Sequence, residues 1–209
     1  MQIDRFHIPQ GDIENELLTR FRKAAISPQG LFDYPTGREG LRLLGYPHEF
    51  ISSLPDRVAE CYCGVGNPFA PSLPLKGEAV LDVGCGAGVD ALAAATFVGL
   101  DGRVEGLEYS PDMLARAADN AGLCGAQNVS LQRGSAERLP YQDSSFDLLI
   151  SNGVYNLVRD KPRALAEAFR ILKPGGRVQL ADQILEADTA PACPLPQPGA
   201  LVSAAAWAR

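Results

Sequence analysis

Leu81-Asp82-Val83-Gly84-Cys85-Gly86-Ala87-Gly88 is the stretch from which the fold can be read. Before it stands a short apolar run, 79–83, which reads as a buried strand. After it comes an alanine-rich helix predicted over 87–98. Glycines at 84, 86 and 88 allow a tight turn and let a ligand approach the backbone. A glycine-rich turn between a strand and a helix is the context of a nucleotide-binding loop. Twenty residues past Gly88, at the tip of the next predicted strand, stands Glu108. A carboxylate there can accept both hydroxyl protons of a ribose.

The spacing selects among nucleosides. A dinucleotide fingerprint wants a third glycine at position 89, which is valine here. Asp82, two residues before the first glycine, would repel a pyrophosphate. It suits a ligand with no phosphate and a cationic end. S-adenosylmethionine has a sulfonium, an ammonium and an adenosine.

Outward from the turn, apolar runs alternate with helical patterns. Strands are predicted at 79–83, 103–108, 129–131, 146–150 and 177–180. Ser110-Pro111 starts one helix, with serine as N-cap and proline at the first helical position. Another helix, over 161–172, stops at Lys173-Pro174-Gly175-Gly176. Strand–helix alternation predicts βαβ units and a parallel sheet with helices on both faces. Residues 1–76 read differently, as a helical extension or lid. A helix is predicted over 12–25, with Ile13, Leu17, Leu18, Phe21 and Ala24 on one face. Thr36 and Glu39 have capping-box spacing, Gly45 reads as a stop, and a short helix follows Pro47. Two glycines and three prolines make 64–74 a loop.

Composition sets the limits. The 209 residues are 46% hydrophobic and 21% charged, which excludes wholesale disorder. A net charge of −6 argues against a nucleic-acid surface spread over the molecule. No run approaches the about 18 apolar residues of a membrane helix. Residues 1–10 lack the apolar core of a secretory signal. Five scattered cysteines favour a reduced, cytoplasmic chain over a disulfide framework. Cys61-Tyr62-Cys63 has no second pair with which to hold zinc, so no metal is expected.

With these motifs the chain resembles the class I S-adenosylmethionine-dependent methyltransferases. The resemblance runs over about 65–182, through 82–88, Glu108, Gly134-Ser135-Ala136-Glu137-Arg138-Leu139-Pro140, Phe146-Asp147 and 172–176. It implies a Rossmann-like domain over 77–209 that binds S-adenosylmethionine and methylates a small molecule. By resemblance, Gly84, Gly86 and Gly88 line the methionine part and Asp82 lies near its ammonium. Glu108 holds the ribose, and Tyr109 and Met113 pack near the adenine. Ser135, Ala136 and Glu137 lie toward the adenine amine, and Ser151 and Asn152 stand beside the methyl group.

Leu44-Gly45-Tyr46, Gly64-Val65-Gly66-Asn67-Pro68 and Ser151-Asn152-Gly153-Val154-Tyr155-Asn156-Leu157 resemble the arsenite methyltransferase-like branch. There Asn67 and its neighbours would close over the cofactor. Trivalent arsenic needs soft thiolate ligands. The branch's cysteine after the fourth strand is Gly153 here, and Cys193 does not match its later one. Cys61 and Cys63 leave two thiols where three are wanted. Tyr34, Tyr62, Asn152 and Tyr155 are the candidates for positioning an acceptor. The family's closing strand hairpin is not legible after Asp182, where Pro191, Pro194, Pro196 and Pro198 crowd the sequence. An open sheet edge, a homodimer through it and a partly shielded Trp207 are the expectations there. Two other readings compete with an enzyme of this family. One is a non-catalytic module that keeps the fold and binds cofactor or partner. The other is a nicotinamide-dependent oxidoreductase, disfavoured by Asp82 and Val89.

Overall fold

The protein is described from a computed structural model over residues 10–184. The chain runs α1 (Gln10–Ile26), α2 (Gly37–Leu43), α3 (His48–Ser53), α4 (Asp56–Ala59), β1 (Ala79–Val83), α5 (Val89–Val98), β2 (Arg103–Glu108), α6 (Pro111–Leu123), β3 (Val129–Arg133), β4 (Phe146–Asn152), α7 (Lys161–Ile171) and β5 (Leu172–Ala181). The five strands form one parallel sheet in the order β3-β2-β1-β4-β5. The order reverses between β1 and β4. In a doubly wound sheet, the crevice at the carboxyl ends of such strands is where ligands bind.

Every residue of β1 is buried, as a central strand covered on both faces requires. On one face lie Ala164, Ala168 and Ile171 of α7, packed with Leu81, Leu149 and Phe146. The other face packs on α5. Its alanines bring the helix close, and Leu41, Tyr46, Phe50, Val58 and Tyr62 complete the same cluster. The architecture changes near residue 76, but one hydrophobic core runs across that point. Each large apolar side chain buried there contributes about 1.5–3 kcal/mol.

Local differences from the sequence reading have physical causes. Thr36 is the N-cap of α2, but its side chain makes no capping hydrogen bond. Gly37 instead takes φ +66° and donates its N–H to the Tyr62 carbonyl at 2.7 Å, tying the helix start to the end of the extension. The glycine turn occupies 84–88, so α5 begins at Val89 rather than at Ala87, with Gly88 at φ +83°. Ser110 does cap α6, its hydroxyl accepting from the Met113 N–H.

The expected turn at 173–176 lies inside β5. Leu172 pairs with Phe146 and Arg177 with Leu148, so the intervening residues bulge opposite Asp147. Lys173 Nζ reaches the Asp147 carboxylate at 2.8 Å and anchors the bulge. Among the described residues no strand pairs with the outer edge of β5. The expectations for Cys193, Trp207 and the proline-rich tail fall outside the described residues.

Candidate functional site

A cavity of about 810 Å³ opens over the carboxyl ends of β1, β2 and β4. The glycine turn forms its floor. Gly84 has φ +71°, and a Cβ there would lie 2.3 Å from Val154 Cγ2. Gly86 has φ +54°, with Met113 Cε where a Cβ would press. The backbone at both positions is therefore open only because there is no side chain. Glu108 ends β2 beside it. Its Oε2 accepts the Gly86 N–H and its Oε1 the Ser110 N–H, both at 2.8 Å. Burial raises its pKa, while these N–H groups act the other way.

Beneath the turn, Asp82 is 1% exposed, and its Oδ2 has no hydrogen-bond partner among the described residues. Burial raises its pKa well above the usual carboxylate range, and the charges of Asp90 and Glu108 add to the shift. A buried carboxyl oxygen with no partner is rare and costly. A cationic group at the turn would relieve it.

The expected site residues divide into two groups. Gly84, Gly86, Glu108, Tyr109, Met113, Ser135, Ala136, Glu137, Tyr34, Tyr62 and Asn152 border the cavity. Asp82, Gly88, Ser151, Asn67 and Tyr155 do not line it. Gly88 is instead a packing position, where a Cβ would come 3.1 Å from Ala117 Cβ of α6. Ser151 donates its hydroxyl to the Val83 carbonyl at 2.7 Å and ties β4 to β1. Asn67 braces its own loop, with Oδ1 accepting from Phe69 N–H and Nδ2 donating to the Gly45 carbonyl. Tyr155 is buried in the α7 cluster. Asn152 reaches the cavity, but its amide is taken up by the backbone at 65–66 and by Asp90.

Two contributors were not legible as site residues. Asp90 borders the cavity and is the single charged residue of α5. That isolation was the available sign. Burial pushes its carboxyl up to about 6, against the hydrogen bonds from Tyr46 and Asn152. The other contributor is α1, whose Leu17, Leu18 and Phe21 form part of the cavity wall. The helix is moored by Arg22 to Asp112 at 3.4 Å, by Arg116 Nε to the Ala25 carbonyl at 2.7 Å, and by Glu14 to the Tyr109 hydroxyl. Arg133 lies over the Tyr109 ring.

Residues 74–194 match the model of a family described as a methyltransferase domain. The chain belongs to the methyltransferase domain family. It is 40% identical over 149 residues to an arsenite methyltransferase of Halobacterium salinarum, covering 71% of this chain and 38% of that protein. It is 40% identical over 103 residues to a demethylmenaquinone methyltransferase of Bacillus cytotoxicus, covering 49% of this chain and 43% of that one. Among solved structures, it resembles an arsenic(III) S-adenosylmethionine methyltransferase of Chlamydomonas reinhardtii. There the TM-score is 0.53 and the identity 36%, with 71% of this chain and 50% of that chain covered. The chain thus spans about two fifths of the length of these curated relatives. Family and relatives together indicate S-adenosylmethionine as the cofactor.

No helix among the described residues is long and apolar enough to cross a membrane. No cluster of three or more metal-ligating side chains occurs among them.

Proposed function

We propose that the chain transfers a methyl group from S-adenosylmethionine to an apolar small-molecule acceptor. The observation that carries this reading is the buried, unpartnered Asp82 carboxyl beneath an open glycine turn, with Glu108 beside it. These residues fit the cofactor. Asp82, which lies beneath the turn and does not itself line the cavity, would answer its ammonium through water or by a shift of the turn, and the backbone of Gly84 and Gly86 would border its methionine part. Each Glu108 oxygen accepts one N–H and retains a lone pair for a ribose hydroxyl. Met113 and Tyr109 would flank the adenine, with Ser135, Ala136 and Glu137 toward its amine. The cofactor, when bound, supplies an electrophilic methyl group on a sulfonium.

The chain's own part is to orient the acceptor and exclude water. Approach to about 3–3.5 Å in line is the geometric requirement. The cavity lining includes a set of apolar side chains, Leu17, Phe21, Phe32, Val65 and Leu157. It favours an acceptor with an apolar body. Burial pushes the Cys63 thiol up to about 12 and raises Tyr34 as well. Both hold their protons at neutral pH and neither serves as a base.

The absence of any disulfide among the described cysteines supports a reducing, cytoplasmic location. The outer edge of β5, which no strand pairs among the described residues, supports association of two copies there. Equilibrium dialysis against labelled S-adenosylmethionine tests the first step. Turnover with quinol, thiol and arsenite acceptors tests the second. Absence of cofactor binding overturns the reading. Binding without turnover on any acceptor favours a non-catalytic module.

A further inference from the structure

The best-connected side chain at the cavity is Asn152, the last residue of β4. Its Oδ1 accepts the N–H of Val65 at 2.9 Å and of Gly66 at 3.1 Å. Its Nδ2 donates to the Gly66 carbonyl at 2.8 Å and to Asp90 Oδ2 at 3.0 Å. Two donors on one side and two acceptors on the other define which way the amide points. The side chain thus pairs with both backbone groups of Gly66, as a peptide unit of a neighbouring strand would.

The partners are themselves held. Tyr46 donates its hydroxyl to Asp90 Oδ1 at 2.5 Å, and Tyr62 donates to the Gly66 carbonyl at 2.7 Å. The network therefore joins α5, β4 and the helical extension. The close approach has a steric condition. A Cβ on Gly64 would lie 2.3 Å from Asn152 Nδ2 and 2.5 Å from the Tyr62 hydroxyl. A Cβ on Gly66 would lie 2.8 Å from Ala181 Cβ at the end of β5. Only glycine at 64 and 66 lets this segment lie so close to the strand ends.

Cys63, Gly64 and Val65 form cavity wall, and so do Gly153 and Val154, which follow Asn152. We propose that Asn152 is a positioning residue whose side-chain amide clamps segment 62–66 against the end of β4, making the helical extension a fixed wall of the acceptor side of the pocket. The proposal deepens the methyltransferase reading and rests on it for its functional consequence. A hydroxyl or carboxylate at 152 could not substitute. A carboxylate would face the Gly66 carbonyl and Asp90 with no proton to donate. An alanine would leave the part-buried N–H groups of Val65 and Gly66, and Asp90 Oδ2, without these partners.

The test is amide hydrogen exchange on the full chain, together with calorimetric titration of S-adenosylhomocysteine. In N152A and N152D, exchange at Val65 and Gly66 rises by about tenfold or more, while β1 and β2 keep their protection. Affinity for S-adenosylhomocysteine falls in N152D. In D90N/N152D, a donor returns to face the new carboxylate, and exchange and affinity recover most of the loss. Unchanged exchange at Val65 and Gly66 in N152A overturns the clamp. A double variant no better than N152D overturns the partnership with Asp90. Wild-type protein that fails to bind S-adenosylhomocysteine refutes the proposed function instead, and the exchange data still decide the clamp.

Discussion

Glu108 and Gly86 are joined by a hydrogen bond of 2.8 Å from the turn's backbone N–H to the Glu108 carboxylate. The acid that ends β2 is thereby oriented by the turn that follows β1. This orientation holds before any ligand arrives, so little ordering is left for binding to supply.

Replacing Glu108 with glutamine removes the charge from that arrangement at little change in size. Binding of S-adenosylhomocysteine is expected to weaken by about 1.5–3 kcal/mol, the range for hydrogen bonds to a charged group. Isothermal calorimetry measures it directly. NAD should give no heat in the same cell. An unchanged dissociation constant would remove Glu108 from the ribose role.

The buried acids set an expected pH dependence. Burial raises the Asp90 carboxyl from its ordinary 3.8 to about 6. The folded protein therefore keeps that proton to a higher pH than the unfolded chain does. The resulting stability is complete below the unfolded value and is lost as pH rises through the folded one. The Tm of the cofactor-free protein should fall as pH rises from 3.8 to about 6, and D90N should flatten that decline. Asp147 works in the opposite sense and in another window. Burial would raise it, but Lys173 and the Ala79 N–H hold it below its usual value, so its contribution is lost only in stronger acid. Thermal melts of wild type and D90N at matched pH settle the sign. A Tm that climbs across this interval in wild type counts against it.

Two glycine-to-alanine changes should move stability in opposite directions. At Gly84, φ is +71° and Val154 Cγ2 occupies the space for a Cβ. G84A should cost about 1–3 kcal/mol in overpacking, plus about 1 kcal/mol for the left-handed backbone. Gly122 lies within α6 with nothing within 4 Å of a Cβ. There alanine should stabilise by about 0.5–1 kcal/mol. Urea denaturation of both variants checks the contrast, and equal effects would contradict the packing.

Arsenite should be a poor acceptor. Cys61 is buried, with Sγ donating to the Arg57 carbonyl at 3.1 Å, and the Cys63 thiol is held protonated. Cys85 also borders the cavity, and burial raises its thiol well above the ordinary value, but among the described residues no three potential ligands converge into the thiolate set that a soft trivalent ion needs. Gly153, the position at which the sequence resemblance leads one to expect a cysteine, has φ +72° and Val65 Cγ1 3.3 Å from its Cβ position. Chromatographic speciation after incubation with arsenite should show little methylated arsenic. Robust methylation would prove this wrong.

Much of the fold was legible because it depends on local chemistry. A run of four apolar residues and Asp82, then glycines in turn positions, then an alanine-rich segment reads as strand, turn and helix. Ser110-Pro111 marks a helix start by capping and by a fixed φ, and both act within a few residues. Glu108 could be placed because the length of one βα unit sets its distance from the turn. The structure decided what depends on residues far apart in the chain. The unpartnered state of Asp82 follows from the sheet and α5 closing around it. Asn67, Ser151 and Gly88 carry the expected motif spacing, yet they spend their polar atoms or their small size on packing. That Asn152 meets Gly66 across 86 residues, and that α1 walls the cavity, are outcomes of tertiary contact. Side-chain direction and hydrogen-bond partners are global quantities, which no local pattern of residues encodes.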